Sequence, residues 1–444
     1  MSDAHAVDGA SSVTQFASDL IRFDTTNRGG GDCSERAAAE YVAGALTDAG
    51  LDPVVLESAP GRANVVVRVA GRDRRAAAIL VHGHLDVVPA DPAVWSVPPF
   101  SGEVRDGVLW GRGAVDMKNF VAVMLALVNQ WSRNERQPER DLVLAFTADE
   151  EDTAVYGARF LVEQHAELFA GCSEAIGESG GFTFHAGPDL RLYPIASAER
   201  GTAWLKLTAH GTAGHGSKPN NDNAVTRLAE AITRIGAYQW PIRLIPTVRA
   251  AIEAIAVAVA PENVRKSGVG GLDAADLLSK LGPAEALVKA TVRNSANPTM
   301  LQAGIKVNVI PGEAVAYVDG RVLPGLDDEF LATMDELTGE AVTWVYAHRE
   351  PPVEAPLDSP LVTAMAEAVL EEDPGASAVP YCMSGGTDAK QFCRLGMECY
   401  GFTPLVLPPG YDYYAMFHGV DERIPVSALE GSLRIMNRLL ASSG

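Results

Sequence analysis

Hydrophobic and polar positions along this chain fall into two alternating patterns. Short apolar runs rich in β-branched residues, bounded by charge or glycine, mark buried strands. Longer stretches with apolar residues every three or four positions mark helices. The pattern predicts a loose tail over residues 1–12 and a first helix from Val13 to Phe23. A glycine-rich loop, Asn27 to Gly31, leads to a helix capped by Ser34, with Glu35 in its first turn, that runs to about Ala49. Strands are expected at Pro53–Leu56, Asn64–Val69, Ala76–Val81, Asp141–Phe146 and Glu174–Ile176. Helices at Asn119–Trp131 and Tyr156–Glu167 fall between them. This alternation implies the α/β class, with a mixed, largely parallel sheet flanked by helices.

The pattern changes near Arg200. Ala203–Ala209 alternates as a half-buried strand, residues 211–217 form a flexible loop, and Asn223–Ile235 is an amphipathic helix. Residues 240–300 read as mainly helical with glycine joints such as Gly268–Gly271, and Gly304–Val309 with Glu313–Val322 as a hairpin. From Pro324 the helix–strand alternation resumes, with a helix to Leu337, a strand Val342–Ala347, a helix Pro360–Leu370 and a final helix from Val426. The expected organisation is one α/β domain in two parts, 1–202 and 323–444, interrupted by an α+β insert at 203–322.

Composition narrows the picture. A chain of 444 residues is too long for one core. Its net charge of −21 disfavours nucleic acid or an anionic membrane as partner, since both need basic patches. The five cysteines are odd in number and none sits at CxxC spacing, so reduced thiols are expected rather than disulfides or a zinc ribbon. The N-terminus shows no apolar signal segment, and no apolar run approaches the roughly 18 residues of a membrane span. The expectation is a soluble, cytoplasmic protein.

Chemistry gathers where the strands end, as is usual in open α/β sheets. His84 and Asp86 lie two residues apart and face the same side of an extended chain. His84 could bind a metal while Asp86 accepts its other ring proton. Asp116, then Glu150 with Glu151, then Glu178 follow other predicted strands, and His418 lies in a loop near the C-terminus. Each has a bland alternative: a helix cap for Asp116, a solvated face for Asp149–Asp152, a structural role for His418. Gathered in one crevice, the carboxylates would repel one another, and a pair of divalent cations would resolve that conflict.

The motifs HGHLDVVP, GRGAVDMK, TADEED, GESGG, SGGTDAK and FHGVDE occur in that order. Together they resemble those of the di-zinc metallopeptidase superfamily of aminoacylases, carboxypeptidase G and succinyl-diaminopimelate desuccinylase, in its long-lid branch. The resemblance implies a catalytic domain interrupted by a lid, often used for dimerisation, so that 203–322 would be the lid of a possible homodimer. It makes His84 and Glu178 ligands of one metal, Glu151 and His418 ligands of the other, and Asp116 the bridge. Asp86 would orient His84, and Glu150 would be the general base. His82 stays structural. The two ions, zinc with cobalt or manganese as alternatives, would turn a bridging water into an attacking hydroxide. His215 resembles the lid histidine that donates to the oxyanion, and Arg321 the arginine that clamps a substrate carboxylate. Asn308, Gly385 and Thr387 are expected substrate contacts. The implied reaction is hydrolysis of the amide of a small N-acyl amino acid or short peptide with a free carboxylate. Alternatives are a dipeptidase or carboxypeptidase proper, or a non-catalytic binding protein on the same fold.

Overall fold

The computed structural model of the protein describes residues 4–30, 33–259 and 278–442. Most of the chain is built on a ten-stranded sheet. Its order runs Val54–Ala59, Arg62–Val69, Leu142–Thr147, Ala78–His84, Cys172–Gly177, Glu398–Gly401, Arg191–Glu199 and Val353–Glu354. Ser377–Met383 and Phe184–His185 also pair with Arg191–Glu199. Parallel pairing joins the four central strands, Leu142–Thr147 to Glu398–Gly401, and links Ser377–Met383 to Arg191–Glu199. The other pairs are antiparallel, so the sheet is mixed and less parallel than the alternation implied. The first hairpin gives the reason at one edge. Only Pro60 and Gly61 separate its strands, Gly61 takes φ 84°, and a link that short can join only antiparallel neighbours.

Register then sets the stage for chemistry. His84 pairs with Thr147, and Val81 with Ile176, so three central parallel strands finish side by side. Behind them runs the helix Lys118–Arg133, buried at every residue from Lys118 to Val128, as befits a helix apolar on nearly all faces. The first helix, Ala4–Arg22, and the last, Val426–Ser442, pack against it. That first helix begins where a loose tail was expected, and no proline interrupts its early residues.

The second helix, Arg36–Asp48, lacks the expected serine cap. Ser34 Oγ donates to the Gly61 carbonyl at 3.3 Å, and Glu35 forms a buried pair with Arg62. A buried guanidinium demands a counter-charge, and that demand outweighs a cap.

A separate four-stranded antiparallel sheet runs in the order Ser295–Ala303, Glu313–Val322, Gly201–His210, Val342–Glu350. Helices Ala224–Ala237 and Asp327–Thr338 cover one face and close a core around Leu205, Leu207, Phe330 and Met334. The strand expected at 304–309 is instead Ser295–Ala303; only Val309–Ile310 of the later stretch pairs, with Gly214–His215. Val342–Glu350 belongs to this small sheet although it follows residue 322. Pro246–Val259, the helical part of 240–300, packs instead on Ser377–Met383 of the large sheet. The glycine joint expected at 268–271 lies outside the described residues.

Candidate active site

His84 ends its strand with a side chain 1% exposed. Its Nε2 lies 3.1 Å from Asp116 Oδ1 and 3.7 Å from Glu178 Oε2. His418 Nε2 lies 3.3 Å from the other oxygen of Asp116, Oδ2, and 3.1 Å from Glu151 Oε2. Two three-residue groups result, His84–Asp116–Glu178 and Asp116–Glu151–His418, and both contain Asp116. Glu150 stands beside them, its Oε2 3.8 Å from His84 Nε2. All six residues were expected here, and the structure brings them together.

Asp86 departs from its expected role. His84 Nδ1 sits 2.9 Å from the Asp86 backbone carbonyl and 3.6 Å from its carboxylate, so the carbonyl fixes the ring. The Asp86 carboxylate instead accepts from the backbone N–H groups of Glu150 at 3.1 Å and Glu151 at 3.2 Å. The reason is geometric: the strand ends at His84, and beyond it the Asp86 carboxylate reaches the acidic turn after the neighbouring strand. His82, deeper on the same strand, packs its ring 4.8 Å from Phe392. Burial and the nearby His84 hold it down near pKa 3.

Asp116 differs from the other acids in origin. It follows a small three-stranded sheet, through Val108–Trp110, and immediately precedes the long buried helix. Its loop is held by Glu422, a fully buried residue from the His418 segment. Glu422 Oε1 accepts from the N–H groups of Val115 at 2.6 Å and Asp116 at 3.0 Å; Oε2 accepts from Gly113 N–H at 2.9 Å and the Arg112 guanidinium at 2.8 Å. Arg112 also donates to the Gly419 carbonyl at 3.0 Å. The loop bearing Asp116 and the loop bearing His418 therefore brace each other. Glu422 was visible in the quoted FHGVDE motif, but nothing in a single sequence distinguishes a bracing acid from a solvated one.

Charge is the organising problem of the site. Burial and then the carboxylate of Glu178 push Glu150 well above the usual glutamate range. Burial and then Asp116 push Glu151 up to about 7. Hydrogen bonds to Asp116 and Glu151 raise His418 to about 10. Burial alone would pull His84 down, and bonds to Asp116 and Glu178 outweigh it. Glu151 Oε1 is buried without a hydrogen-bond partner. Oxygen and nitrogen donors without thiolate, an orphaned carboxylate oxygen and crowded negative charge all fit two divalent cations.

The surrounding cavity, about 370 Å³, is lined by Glu150, Asp152, Thr202, Trp204, Arg321, His348 and Glu350, among others. Gly385 and Thr387 line it as expected. Thr387 is already engaged, donating from Oγ1 to buried Glu199 at 2.6 Å. The fork of Arg321 is held by Asp319, at 2.8 Å to Nε and 3.2 Å to Nη2, and its Nη1 donates to Thr202 Oγ1 at 3.1 Å. His215 and Asn308 are not among the cavity residues. Both are exposed on the far end of the small sheet, where Gly216 N–H donates to the Asn308 carbonyl at 2.9 Å. His215 Nδ1 accepts from Ser217 N–H at 3.2 Å and lies 2.9 Å from Ser217 Oγ.

Two groups of donors that could each hold a metal ion and that share a carboxylate, with a further glutamate alongside, fit one class of protein, the dinuclear metallohydrolases. The chain belongs to peptidase family M20/M25/M40, whose sequence model matches residues 80–442. It is an amide-bond hydrolase of that metallopeptidase and aminoacylase family. The chain is similar to the N-fatty-acyl-amino acid synthase/hydrolase PM20D1 of Homo sapiens, 28% identical over 391 residues, covering 84% of this chain and 76% of that one. It is 27% identical over 415 residues to aminoacylase-1 of Sus scrofa, covering 91% and 89%. Its fold matches the M20 family metallo-carboxypeptidase Sso-CP2 of Sulfolobus solfataricus with a TM-score of 0.69 at 18% identity, over 97% of this chain and 98% of that one. Among the described residues no helix is long and apolar enough to cross a membrane.

Proposed function

We propose that the protein is a zinc-dependent hydrolase of small N-acyl amino acids that carry a free carboxylate. The observation that carries this reading is the sharing of Asp116 between the two donor groups, with Glu150 left over beside them. His84, Asp116 and Glu178 would hold one ion; Asp116, Glu151 and His418 the other. Two divalent ions held there would acidify a water and polarise the scissile carbonyl. Glu150 takes the proton of the attacking water and hands it to the departing amine. Arg321 recognises the free carboxylate by exchanging Asp319 for it, and Gly385 and Thr387 line the approach.

The small sheet acts as the lid, and its tip as the contact between two copies of the chain. Ile305 and Val307 are fully exposed beside Asn308, an arrangement that suits a covered surface. His215 from one copy would then serve the oxyanion in the other. Five free cysteines and the strongly negative charge support a cytoplasmic setting without nucleic acid or membrane partners.

Glu350 and Asp388 favour a second reading. They are cavity carboxylates outside both donor groups, and could receive the free ammonium of an unblocked dipeptide. Turnover of N-acetyl amino acids against unblocked dipeptides, with zinc, cobalt and manganese in turn, separates the readings. Faster cleavage of the dipeptides would overturn the first, and no cleavage of either class with any metal would overturn both.

A further inference from the structure

The acidic turn that bears Glu150 and Glu151 is tied to a part of the chain that lies ahead of the family match. Asn27, in the loop after the first helix, is 5% exposed. Its Nδ2 donates to Asp86 Oδ2 at 2.9 Å and to Asp149 Oδ1 at 3.1 Å, so one amide spends both its hydrogens on two carboxylates. Its Oδ1 accepts from Gly29 N–H at 3.0 Å, which fixes the orientation of the amide. Its own N–H donates to the Val87 carbonyl at 2.8 Å, which anchors it to the exit of the His84 strand.

Asp149 has a second holder. Arg62 Nη2 donates to Asp149 Oδ1 at 2.9 Å and to Glu35 Oε1 at 2.8 Å, and Arg62 Nε donates to Glu35 Oε2 at 2.9 Å. All three side chains are 0–1% exposed. The guanidinium also lies 4.9 Å from the ring centre of Tyr156, whose N–H returns to Asp149 Oδ2 at 3.2 Å. Asp149 itself takes φ 64°, in the left-handed region, where a non-glycine residue needs its surroundings to hold it. The next links are the two backbone N–H groups of Glu150 and Glu151, both accepted by Asp86.

We propose that Asn27, Arg62 and Glu35 are positioning residues of the reaction: by clamping Asp86 and Asp149 they set where Glu150 and Glu151 stand. This rests on the roles given above to those two glutamates. The physical need is clear. Adjacent residues can act as proton carrier and metal ligand only if their shared backbone is fixed, because a small rotation swaps what each carboxylate faces. Charge points the same way. Asp86 and Asp149 would repel each other without donors between them, and Asn27 supplies those donors without adding a charge. Asn27, Glu35 and Arg62 all precede residue 80, where the family match begins.

The test is Asn27→Ala in the full-length chain, with Arg62→Lys, which keeps the charge and loses the fork. Metal-stripped protein is titrated with zinc alone, and kcat and KM are measured at saturating zinc on the best substrate of the screen. The expected result is a fall in kcat of about 10–100-fold with KM within about threefold, and a similar weakening of one zinc ion of two. Asn27→Ser, which keeps a donor for one carboxylate, should fall between and serves if Asn27→Ala does not fold. The proposal is overturned if kcat and both zinc affinities stay within twofold of wild type, whatever happens to Tm. It is also overturned if KM rises as far as kcat falls while zinc binding is unchanged. If the wild type cleaves no amide, the functional reading fails while the zinc titration still decides this one.

Discussion

The two halves of the site present their imidazoles in opposite ways. The His84 side chain is 1% exposed and that of His418 is 56% exposed. His84 is placed by the ladder of the large sheet, where register with Thr147 leaves it little freedom. His418 sits in a C-terminal loop at φ 55° and depends on Glu422 and Arg112 for its setting. One half is a product of strand pairing and the other of long-range bracing across more than three hundred residues of chain. Sheet geometry can hold one ligand cheaply, whereas a loop ligand needs a dedicated buried pair. The first half should therefore tolerate change around it, and the second should fail when its brace fails.

The strongest test bears on what both halves serve. Glu150→Gln should lower kcat by about 10²–10⁴-fold while both metal ions stay bound. Normal turnover would remove Glu150 from proton transfer and leave two metal groups with nothing to act through. Next comes the brace. Glu422→Ala leaves Arg112 buried without its counter-charge, at a cost of about 3–5 kcal/mol, and frees both loops. It should weaken the ion that His418 would hold more than the one that His84 would hold, because the first loses the support of two donors, Asp116 and His418, and the second of Asp116 alone. Equal loss of both metals would erase the contrast between the halves.

A third test uses pH on protein stripped by a chelator. Glu151 rises from 4.5 to about 7, and His418 from 6.5 to about 10. Across those intervals the folded chain keeps protons that the unfolded chain has released. Stability should then fall as pH rises through the Glu151 window and again through the His418 window. Thermal melts across that range should show Tm dropping, and zinc should remove the slope by taking the place of the protons. A flat profile without zinc would mean that the acids are satisfied some other way.

The smallest effect is expected at the cavity wall. Arg321→Ala should raise KM for carboxylate substrates only severalfold, because Asp319 already occupies the fork. Asp319→Asn should lower KM by loosening that grip. If neither changes KM, the carboxylate is read elsewhere.

Much of this was legible in the sequence because strand ends and spacing are local properties. His84, Glu150, Glu151 and Glu178 follow apolar runs that any sheet must bury, and their residue types suit metal chemistry. Helices such as Ala224–Ala237 appeared through apolar periodicity, and the structure adds that Asn223 caps this one. Arg321 had a visible type, and Asp319 two positions earlier on the expected strand shares its face, but only the structure shows the fork already held by that carboxylate. Asn27 and Arg62 gave no signal at all, being one amide and one guanidinium among many surface-like polar residues.

What the residues alone determined is the alternation of buried strands and helices, the inventory of imidazoles and carboxylates, and the order in which they arrive. These depend on neighbours within a few positions, where backbone geometry is nearly fixed by residue type. Only the tertiary structure decided that the Asp86 carboxylate serves the Glu150 turn and not the His84 ring, that Glu422 joins two distant loops, and that His215 stands away from the cavity. Each of these depends on a hydrogen bond or a separation between segments far apart in the chain, and such distances are set by packing of the whole sheet and its helices.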